Sequence, residues 1–266
     1  MRAGLALEYE DLSLSNGQPV RIIAINNPKK RNCLSAVDLS ALKELSQTAS
    51  EKLLVLTARE NVFCSGLDLN ELIAAAKTTH GIEALIEQLC CTYETLTRHA
   101  QKTFAFVNGP AVGAGVGIAQ SFDFIAVNPA GYFELPTEPA RRLLVNTAFP
   151  LLARRNAQWQ GTKSMAADLV AQHLADAQAQ WASPQEILTL VERNLHVATP
   201  VWKDGKRRPY DVRRMAGILQ EAFRPENIEM GERFYLELEF PAGGGINDPR
   251  FAGKLKQSQR KTLITE

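Results

Sequence analysis

The stretch GPAVGAGVGIAQSFDFIAV, from Gly109 to Val127, places Gly113, Gly115 and Gly117 at alternate positions directly before an apolar run. Glycines let another group approach the backbone closely, and a nucleotide phosphate is the first candidate. The spacing excludes the dinucleotide fingerprint, because its third glycine would have to stand where Ile118 stands. No Lys-Ser or Lys-Thr pair follows the glycines, so the other common phosphate loop is excluded as well. Close packing of a helix on a sheet and contact with a substrate group both stay open.

Short apolar runs and helical patterns alternate along the chain. Runs of strand length with almost continuous hydrophobicity suit strands that are buried on both faces, and they lie at 21–26, 53–58, 104–109 and 122–127. A capping box at Ser35 and Asp38 predicts the start of one helix, and apolar residues spaced three and four apart over 82–96 predict another. Alternating strands and helices predict an α/β fold with parallel crossover connections.

The composition is that of a globular chain with little net charge. Of its 266 residues, 45% are hydrophobic and 22% are charged, and the formal net charge is +1. No overall attraction to nucleic acid or to an anionic membrane is expected from these values. Acidic residues near the N-terminus do not suit a signal peptide, and no apolar run approaches the length of a membrane span. The cysteines lack paired spacing and the histidines form no ligand cluster, so we expect a cytoplasmic protein with reduced thiols and no metal site.

Two segments share one arrangement, a tight turn between a strand and a helix. NVFCSGLDLNEL (61–72) follows an apolar run and turns at Ser65 and Gly66, and NGPAVGAGVGIAQ (108–120) repeats the arrangement further along the chain. Backbone N–H groups at the start of a helix lack partners within that helix. Two such turns side by side would each aim one N–H group at the same oxygen, which is the design of an oxyanion hole.

The motifs in these segments resemble those of one enzyme family. They are NNPKKRNCLS (26–35), FCSGLDL (63–69), VNGPAVGAG (107–115) and FDFIAVNPAGYFELP (122–136). In this order and roughly at this spacing they resemble the enoyl-CoA hydratase/isomerase (crotonase) family. The match is strong over 20–137, whereas 138–266 match only in helical pattern. HLADAQAQWAS (173–183) is similar to a family helix.

The resemblance implies both an architecture and a class of substrate. The fold would be α/β, a crotonase-like spiral of repeated ββα units over 1–195, followed by a helical C-terminal region, 196–266, for oligomerisation and active-site cover. Family relatives form trimers or pairs of trimers, so a homotrimer or hexamer is expected. The substrate would be an acyl-CoA thioester or a thioester of acyl-carrier protein. Coenzyme A would enter as part of the substrate, no permanently bound cofactor is expected, and neither nucleic acid nor a membrane is expected as a partner.

The resemblance also assigns roles to individual residues. The thioester carbonyl would lie between the backbone N–H groups of Leu67 and Ala114. Backbone carbonyls of the first turn would meet the adenine ring, basic residues of the first motif would approach the CoA phosphates, and glycine would leave room for the flat thioester group. The residues assigned to CoA in this way are Lys29, Lys30, Arg31, Ser65, Asp68, Leu69 and Gly113. For Asp68, capping of the next helix is the competing interpretation.

The chain departs from the hydratase pattern where that pattern places its glutamates. One position, three residues beyond the second N–H donor, is Gly117, and the other is Thr137. Hydration needs a carboxyl group within reach of the water and of Cα. Glu138 and Glu134 flank the second position, and Glu138 is the candidate for a displaced acid or base. A glutamate introduced at 117 is expected to raise hydration if the pocket has room for it.

Three functions therefore stay open. The first is an acyl-CoA enzyme that stabilises a thioester enolate with a displaced acid such as Glu138. The second is a thioester decarboxylase, in which loss of CO₂ generates the enolate without a protein base. The third is a catalytically silent acyl-CoA-binding protein. A serine peptidase of the same general fold is a distant alternative, because Ser65 lacks the G-x-S-x-G context of a nucleophile.

Overall fold

A computed structural model describes residues 6–78, 80–135, 155, 159, 161 and 163–198 of the chain. Its main sheet has the strand order β1-β2-β3-β4-β6-β9, in which β1 is antiparallel to β2 and every other pairing is parallel. A second sheet has the order β5-β7-β8. The strands are β1 (Leu7–Ser13), β2 (Pro19–Ile25), β3 (Leu53–Ala58), β4 (Thr103–Val107), β5 (Ala111–Val112), β6 (Phe124–Val127), β7 (Tyr132–Glu134), β8 (Ser164–Met165) and β9 (Ala177–Gln178).

Helices lie between the parallel strands β2, β3 and β4 of the main sheet, between the second sheet and β6 or β9, and after β9. They are α1 (Ala36–Gln47), α2 (Leu69–Ala76), α3 (Gly81–Thr97), α4 (Ala114–Gln120), α5 (Ala166–Ala171) and α6 (Pro184–Arg193), with a short 3₁₀ helix over Pro28–Lys30. The α/β fold expected from the alternating pattern is confirmed. β3 coincides with its apolar run, and the ends of β2, β4 and β6 differ from theirs by at most two residues. In the described ranges, no helix is long and apolar enough to cross a membrane.

The sheet is buried on both faces, as the continuous apolar runs indicate. On one face, Leu54 and Leu56 of β3 belong to a core shared with α1, α3 and α4. On the other face, Val55 of the same strand packs in a second core that includes Ile187 and Val191 of α6. Successive side chains of a strand point to opposite faces, so a run without polar residues suits a strand with a helical layer on each side.

The capping box predicted for α1 is present. The Ser35 side chain accepts a hydrogen bond from the Asp38 N–H at 3.1 Å, and the Asp38 carboxylate accepts one from the Ser35 N–H at 2.9 Å. The same carboxylate also accepts from the Ala6 N–H at 2.8 Å. This buried side chain therefore fixes both the start of α1 and the approach to β1.

The prediction of a helix over 173–183, made from the similarity of this segment to a family helix, is wrong. α5 ends at Ala171, and the chain then turns and adds β9 to the edge of the main sheet, beside β6. Asp176 drives this arrangement, because its carboxylate accepts from the Ile125 N–H at 2.7 Å while its own N–H donates to the Ile125 carbonyl at 2.8 Å. By pairing with β6, β9 provides partners for backbone N–H and C=O groups of that strand. A further helical turn would leave these groups without partners. Of the expected helical region 196–266, the structure describes 196–198, and the remainder lies outside the described residues.

Candidate active site

The first motif forms a loop that is held in shape by a buried asparagine. Asn32 is fully buried and has a left-handed φ of 54°. Its side-chain oxygen accepts from the Asn27 N–H at 2.7 Å, and its amide donates to the carbonyls of Arg59 and Val62 at 2.9 and 2.6 Å. One side chain thus ties the loop 27–34 to the segment that enters the second motif. The sequence interpretation missed this role, although Asn32 closes the N-x-P-x-x-x-N pattern.

The turn of the second motif lies between the first loop and β5. On one side, the Ser65 N–H donates to the Arg31 carbonyl at 3.2 Å, and Leu34 forms a parallel bridge with Leu67. On the other side, Cys64 forms a parallel bridge with Ala111. The turn therefore joins the first three motifs, which carry the residues expected to bind acyl-CoA.

The direction of the Leu67 N–H follows from the bonds around it. The Leu34 N–H donates to the Gly66 carbonyl at 2.8 Å, and the Asp68 N–H donates to the Leu34 carbonyl at 2.9 Å. No peptide bond in the described ranges is cis. In a trans peptide the C=O and the following N–H point in opposite directions, so the Leu67 N–H points away from Leu34 and towards the side where β5 lies.

The second turn presents Ala114 on that side. Gly113 has φ +58° and ψ −125°, a conformation that side-chain-bearing residues rarely adopt, and its N–H donates to the Glu134 carbonyl at 3.1 Å. Ala114 is the first residue of α4, and none of the described residues accepts a hydrogen bond from its N–H. The turn is thus held by backbone bonds while one donor is left available.

The two turns are in contact through Gly66. A Cβ atom added at Gly66 would lie 3.3 Å from the Ala114 nitrogen and 3.1 Å from the Val112 oxygen. Gly66 also has a φ of +98°, which favours glycine. The structure therefore brings the Leu67 and Ala114 turns together, with glycine at the point of approach. That the N–H groups of Leu67 and Ala114 point at one oxygen stays a prediction.

The alternate glycines of α4 have a different use. A Cβ added at Gly115 would lie 2.4 Å from the Cys64 carbonyl oxygen, and one added at Gly117 would lie 2.3 Å from the Tyr93 hydroxyl oxygen. At Gly113, by contrast, none of the described residues beyond its chain neighbours has an atom within 4 Å of an added Cβ. The expectation that glycines make room for substrate is therefore wrong for Gly115 and Gly117, where protein atoms fill the space. For the same reason there is no room for an added glutamate at 117.

The cationic residues predicted to bind CoA lie beside the turn at Ser65 and Gly66. One of them, Lys30, is paired with Asp68. Lys29 and Lys30 are exposed on the 3₁₀ helix, and Arg31 ends that helix. The Lys30 ammonium lies 2.7 Å from the Asp68 carboxylate, which also caps α2 by accepting from the Asn70 N–H at 2.8 Å. Burial acts to raise the pKa of Asp68, but hydrogen bonds from Lys30, Asn70 and Glu71 together with the charge of Lys30 outweigh it, and the pKa lies below its ordinary value. The capping interpretation of Asp68 is thus confirmed.

Nucleophilic catalysis by a thiol has no support at these turns. Cys64 is fully buried, and burial raises the pKa of its thiol to about 12. A thiol with such a pKa is protonated at neutral pH, and the thiolate is the reactive form. Among the residues that the structure describes, no group of His, Cys, Asp and Glu has the arrangement of a metal site.

Of the two acidic candidates, Glu134 lies beside the Ala114 turn. Glu134 ends β7, pairs with Val112 of β5, and supplies the carbonyl that holds Gly113. Its backbone is therefore adjacent to the Ala114 turn. Glu138 and Thr137 lie outside the described residues.

A groove of about 1120 Å³ lies apart from these turns, between β1, α1 and residues 181–187. None of the predicted site residues that the structure describes lines it. Its lining includes Glu8, Glu10, Glu44 and Glu60, and its Arg59 forms an ion pair with Glu8. Carboxylates repel phosphates, so the charge of this groove does not suit a ligand that carries phosphate groups.

The chain is similar to known proteins in both sequence and structure. A family model described as enoyl-CoA hydratase/isomerase matches residues 15–138. The probable enoyl-CoA hydratase echA6 of Mycobacterium leprae is 29% identical over 193 residues, which are 65% of this chain and 75% of that protein. The mitochondrial enoyl-CoA hydratase domain-containing protein 3 of Rattus norvegicus is 34% identical over 122 residues, covering 44% of this chain and 40% of that protein.

Solved structures extend the similarity of the fold over most of the chain. Pseudomonas aeruginosa AtuE superposes with a TM-score of 0.63 at 19% identity, covering 96% of this chain and 98% of that one. An enoyl-CoA hydratase/isomerase from Marinobacter aquaeolei superposes with a TM-score of 0.62 at 17% identity, covering 86% and 91%. At these identities the similarity shows a shared fold.

Proposed function

We propose that the chain, which is similar to the enoyl-CoA hydratase/isomerase family in sequence and fold, is an acyl-CoA enzyme that stabilises a thioester enolate. In this proposal the N–H groups of Leu67 and Ala114 bind the thioester oxygen. The observation that carries the proposal is the contact of the two turns at Gly66. A Cβ atom added at Gly66 would lie 3.3 Å from the Ala114 nitrogen.

The chemistry required of these donors is electrostatic. When a proton or CO₂ leaves Cα, the electron pair moves into the thioester and negative charge collects on its oxygen. Fixed N–H donors aimed at this oxygen stabilise the charge without rearranging, and each is worth about 3–4 kcal/mol of barrier. Backbone donors serve this purpose whatever side chain the residue carries, so leucine and alanine suit these positions.

The CoA moiety would extend from the turns towards the first loop. Lys29, Lys30 and Arg31 would face its phosphates, and the backbone carbonyls of Ser65, Leu67 and Leu69 would face its adenine ring. The exposure of Lys29 and Lys30 supports this direction. Asp68 would act here by orienting Lys30, to which it is paired at 2.7 Å, while Gly113 would lie against the thioester.

Decarboxylation is a second candidate, and the surroundings of Gly117 favour it. The Tyr93 hydroxyl and ring occupy the space in which a side chain at 117 would begin. A carboxyl group is thus excluded from a position where hydration would use one. In decarboxylation of a malonyl-type thioester, the bond between Cα and the carboxylate carbon breaks, CO₂ leaves, and the electron pair forms the enolate. Solvent then supplies a proton to Cα, so no protein base is needed to form the enolate.

The experiment is an assay of the purified protein against a panel of thioesters, with mass spectrometry of the products. The panel contains enoyl-CoA, β,γ-unsaturated acyl-CoA, malonyl-type and glutaconyl-type CoA esters, and the same acyl groups on acyl-carrier protein. Turnover of CoA esters with a change at Cα or Cβ supports the proposal, and loss of 44 mass units identifies decarboxylation, on the general chemistry of enolate formation. Binding of these esters without any turnover would contradict an enzymatic role and support the silent alternative.

The assembly is part of the same proposal. We expect a homotrimer or hexamer, as the family resemblance implies, and light scattering at micromolar concentration tests it. A monomer under these conditions would contradict the expected assembly while leaving the enolate chemistry untouched.

A further inference from the structure

Tyr93 stands out because its hydroxyl reaches the turn that carries the proposed oxyanion donor. It lies on α3 and is fully buried. Its hydroxyl donates a hydrogen bond to the Ala114 carbonyl at 3.1 Å. A buried hydroxyl needs a partner, and here the partner is the residue whose N–H is assigned to the thioester oxygen.

The ring of Tyr93 contacts the same face of α4 one turn further along. A Cβ added at Gly117 would lie 2.5 Å from the ring carbon that bears the hydroxyl and 3.1 Å from a neighbouring ring carbon. Residues 114 and 117 lie on one face of a helix, because they are three positions apart. Tyr93 therefore bonds and packs along this face, and only glycine at 117 permits it.

α4 has particular need of such support. It is a helix of seven residues, AGVGIAQ, and it follows Gly113, whose left-handed φ marks a sharp change of direction. Glycine lowers helix stability, and isolated helices of this length do not form in water. Its first turn is instead fixed from outside. On one side the backbone of Gly115 packs on Cys64, and on the other side Tyr93 holds Ala114.

We propose that Tyr93 is a positioning residue of the thioester site, which acts through Ala114 by fixing the first turn of α4 so that the Ala114 N–H points at the thioester oxygen. The inference rests on the proposed function. It goes further by naming a residue that touches no substrate atom and yet sets the direction of the donor. It also gives a reason for the glycine at 117 that does not involve the substrate.

The test compares Tyr93→Phe with Thr92→Val. The first variant removes the hydroxyl and keeps the ring. The second removes a neighbouring buried hydroxyl of α3, which donates to the carbonyls of Leu39 and Gln88, residues of α1 and α3. Both variants lose a buried hydroxyl bonded to a backbone carbonyl, so a general loss of stability affects both alike.

The probe is 4-aminocinnamoyl-CoA, whose absorption moves to longer wavelength when its thioester carbonyl is polarised. A titration gives both the dissociation constant and the size of this red shift. We expect a red shift with the wild-type protein and with Thr92→Val. With Tyr93→Phe, binding changes by less than about threefold while the shift falls to about half or less, because a misaligned donor polarises the carbonyl less. Placing 4-aminophenylalanine at position 93, which restores a donor on the same ring, should recover the shift.

The outcomes separate the inference from the function on which it rests. A bound probe without a red shift in the wild-type protein would overturn the proposed function and the inference with it. A wild-type red shift that persists in full in Tyr93→Phe would overturn the inference alone. If near-ultraviolet circular dichroism shows that Tyr93→Phe is unfolded, 3-fluorotyrosine takes its place, since its hydroxyl is a stronger donor. An enlarged shift then supports the inference, and an unchanged shift overturns it.

Discussion

Substitution of Gly117 by alanine should destabilise the protein, although the same change usually stabilises a helix. The gain from helix propensity is about 1 kcal/mol. Against it, the new Cβ would lie 2.3 Å from the Tyr93 hydroxyl oxygen and 2.5 Å from the adjoining ring carbon. Overpacking of a closed core costs about 1–3 kcal/mol, and displacing the hydroxyl loses a buried hydrogen bond worth about 1 kcal/mol. The net expectation is a loss of about 1–3 kcal/mol in the free energy of unfolding.

Urea unfolding, followed by circular dichroism, measures this change. The matched test is the same substitution in a Tyr93→Ala background, where the obstructing ring is absent and Gly117→Ala should become neutral or stabilising. Gly115→Ala serves as the contrast, because its added Cβ would meet the Cys64 carbonyl oxygen at 2.4 Å, and shortening Tyr93 does not move that backbone atom. A Gly117→Ala protein as stable as the wild type would refute the packing argument and the role of glycine at this position.

The remaining predictions concern charge and chemistry. Asp68→Asn keeps a capping side chain but loses the ion pair with Lys30, so it should cost about 1 kcal/mol or less at pH 7. Because the pKa of Asp68 is lowered in the folded state, this difference should persist above about pH 4 and vanish as the pH falls below it, which urea titrations at several pH values would check. A constant difference at all pH values would point to a cause other than the ion pair. Hydration of crotonyl-CoA, followed by loss of enoyl absorbance, should be at least about 100-fold slower than in ordinary family hydratases. A rate in the normal range would show that a carboxyl group does reach the substrate. If Glu138 supplies it, Glu138→Gln should lower turnover by about 10² or more, and an unchanged rate would exclude that displaced acid.

The parts of the fold that follow from local pattern could be predicted. The apolar runs identify β2, β3, β4 and β6, because strands buried on both faces carry few polar residues. The capping box identifies the start of α1, since its two residues bond to each other's backbone. The edge strand β9 could not be found in this way. It has two residues, and it is stabilised by Asp176 bonding to a residue of β6 that is distant in sequence.

In the candidate site, too, features set by local sequence could be predicted and features set by tertiary packing could not. The turns at Gly66 and Gly113 could be predicted, because glycine between a strand and a helix marks a sharp turn wherever it occurs. Tyr93 could not, since it falls within the apolar stripe of α3 and its spacing is that of any core residue. Its significance comes from the contact with Gly117 and Ala114, which only the packing of α3 on α4 creates.

The central claim, that two backbone N–H groups bind the thioester oxygen, is tested most directly by infrared spectroscopy of a bound acyl-CoA labelled with carbon-13 at the thioester carbonyl. Ala114→Pro is the informative variant, because Ala114 is the first residue of α4, where proline fits a helix and replaces the N–H donor by a ring carbon. The account predicts a carbonyl stretch at lower frequency in the wild-type complex than in solution, and a return towards the solution value in the folded Ala114→Pro complex. A frequency in the wild-type complex equal to that in solution, or a shift retained in full by Ala114→Pro, would contradict it.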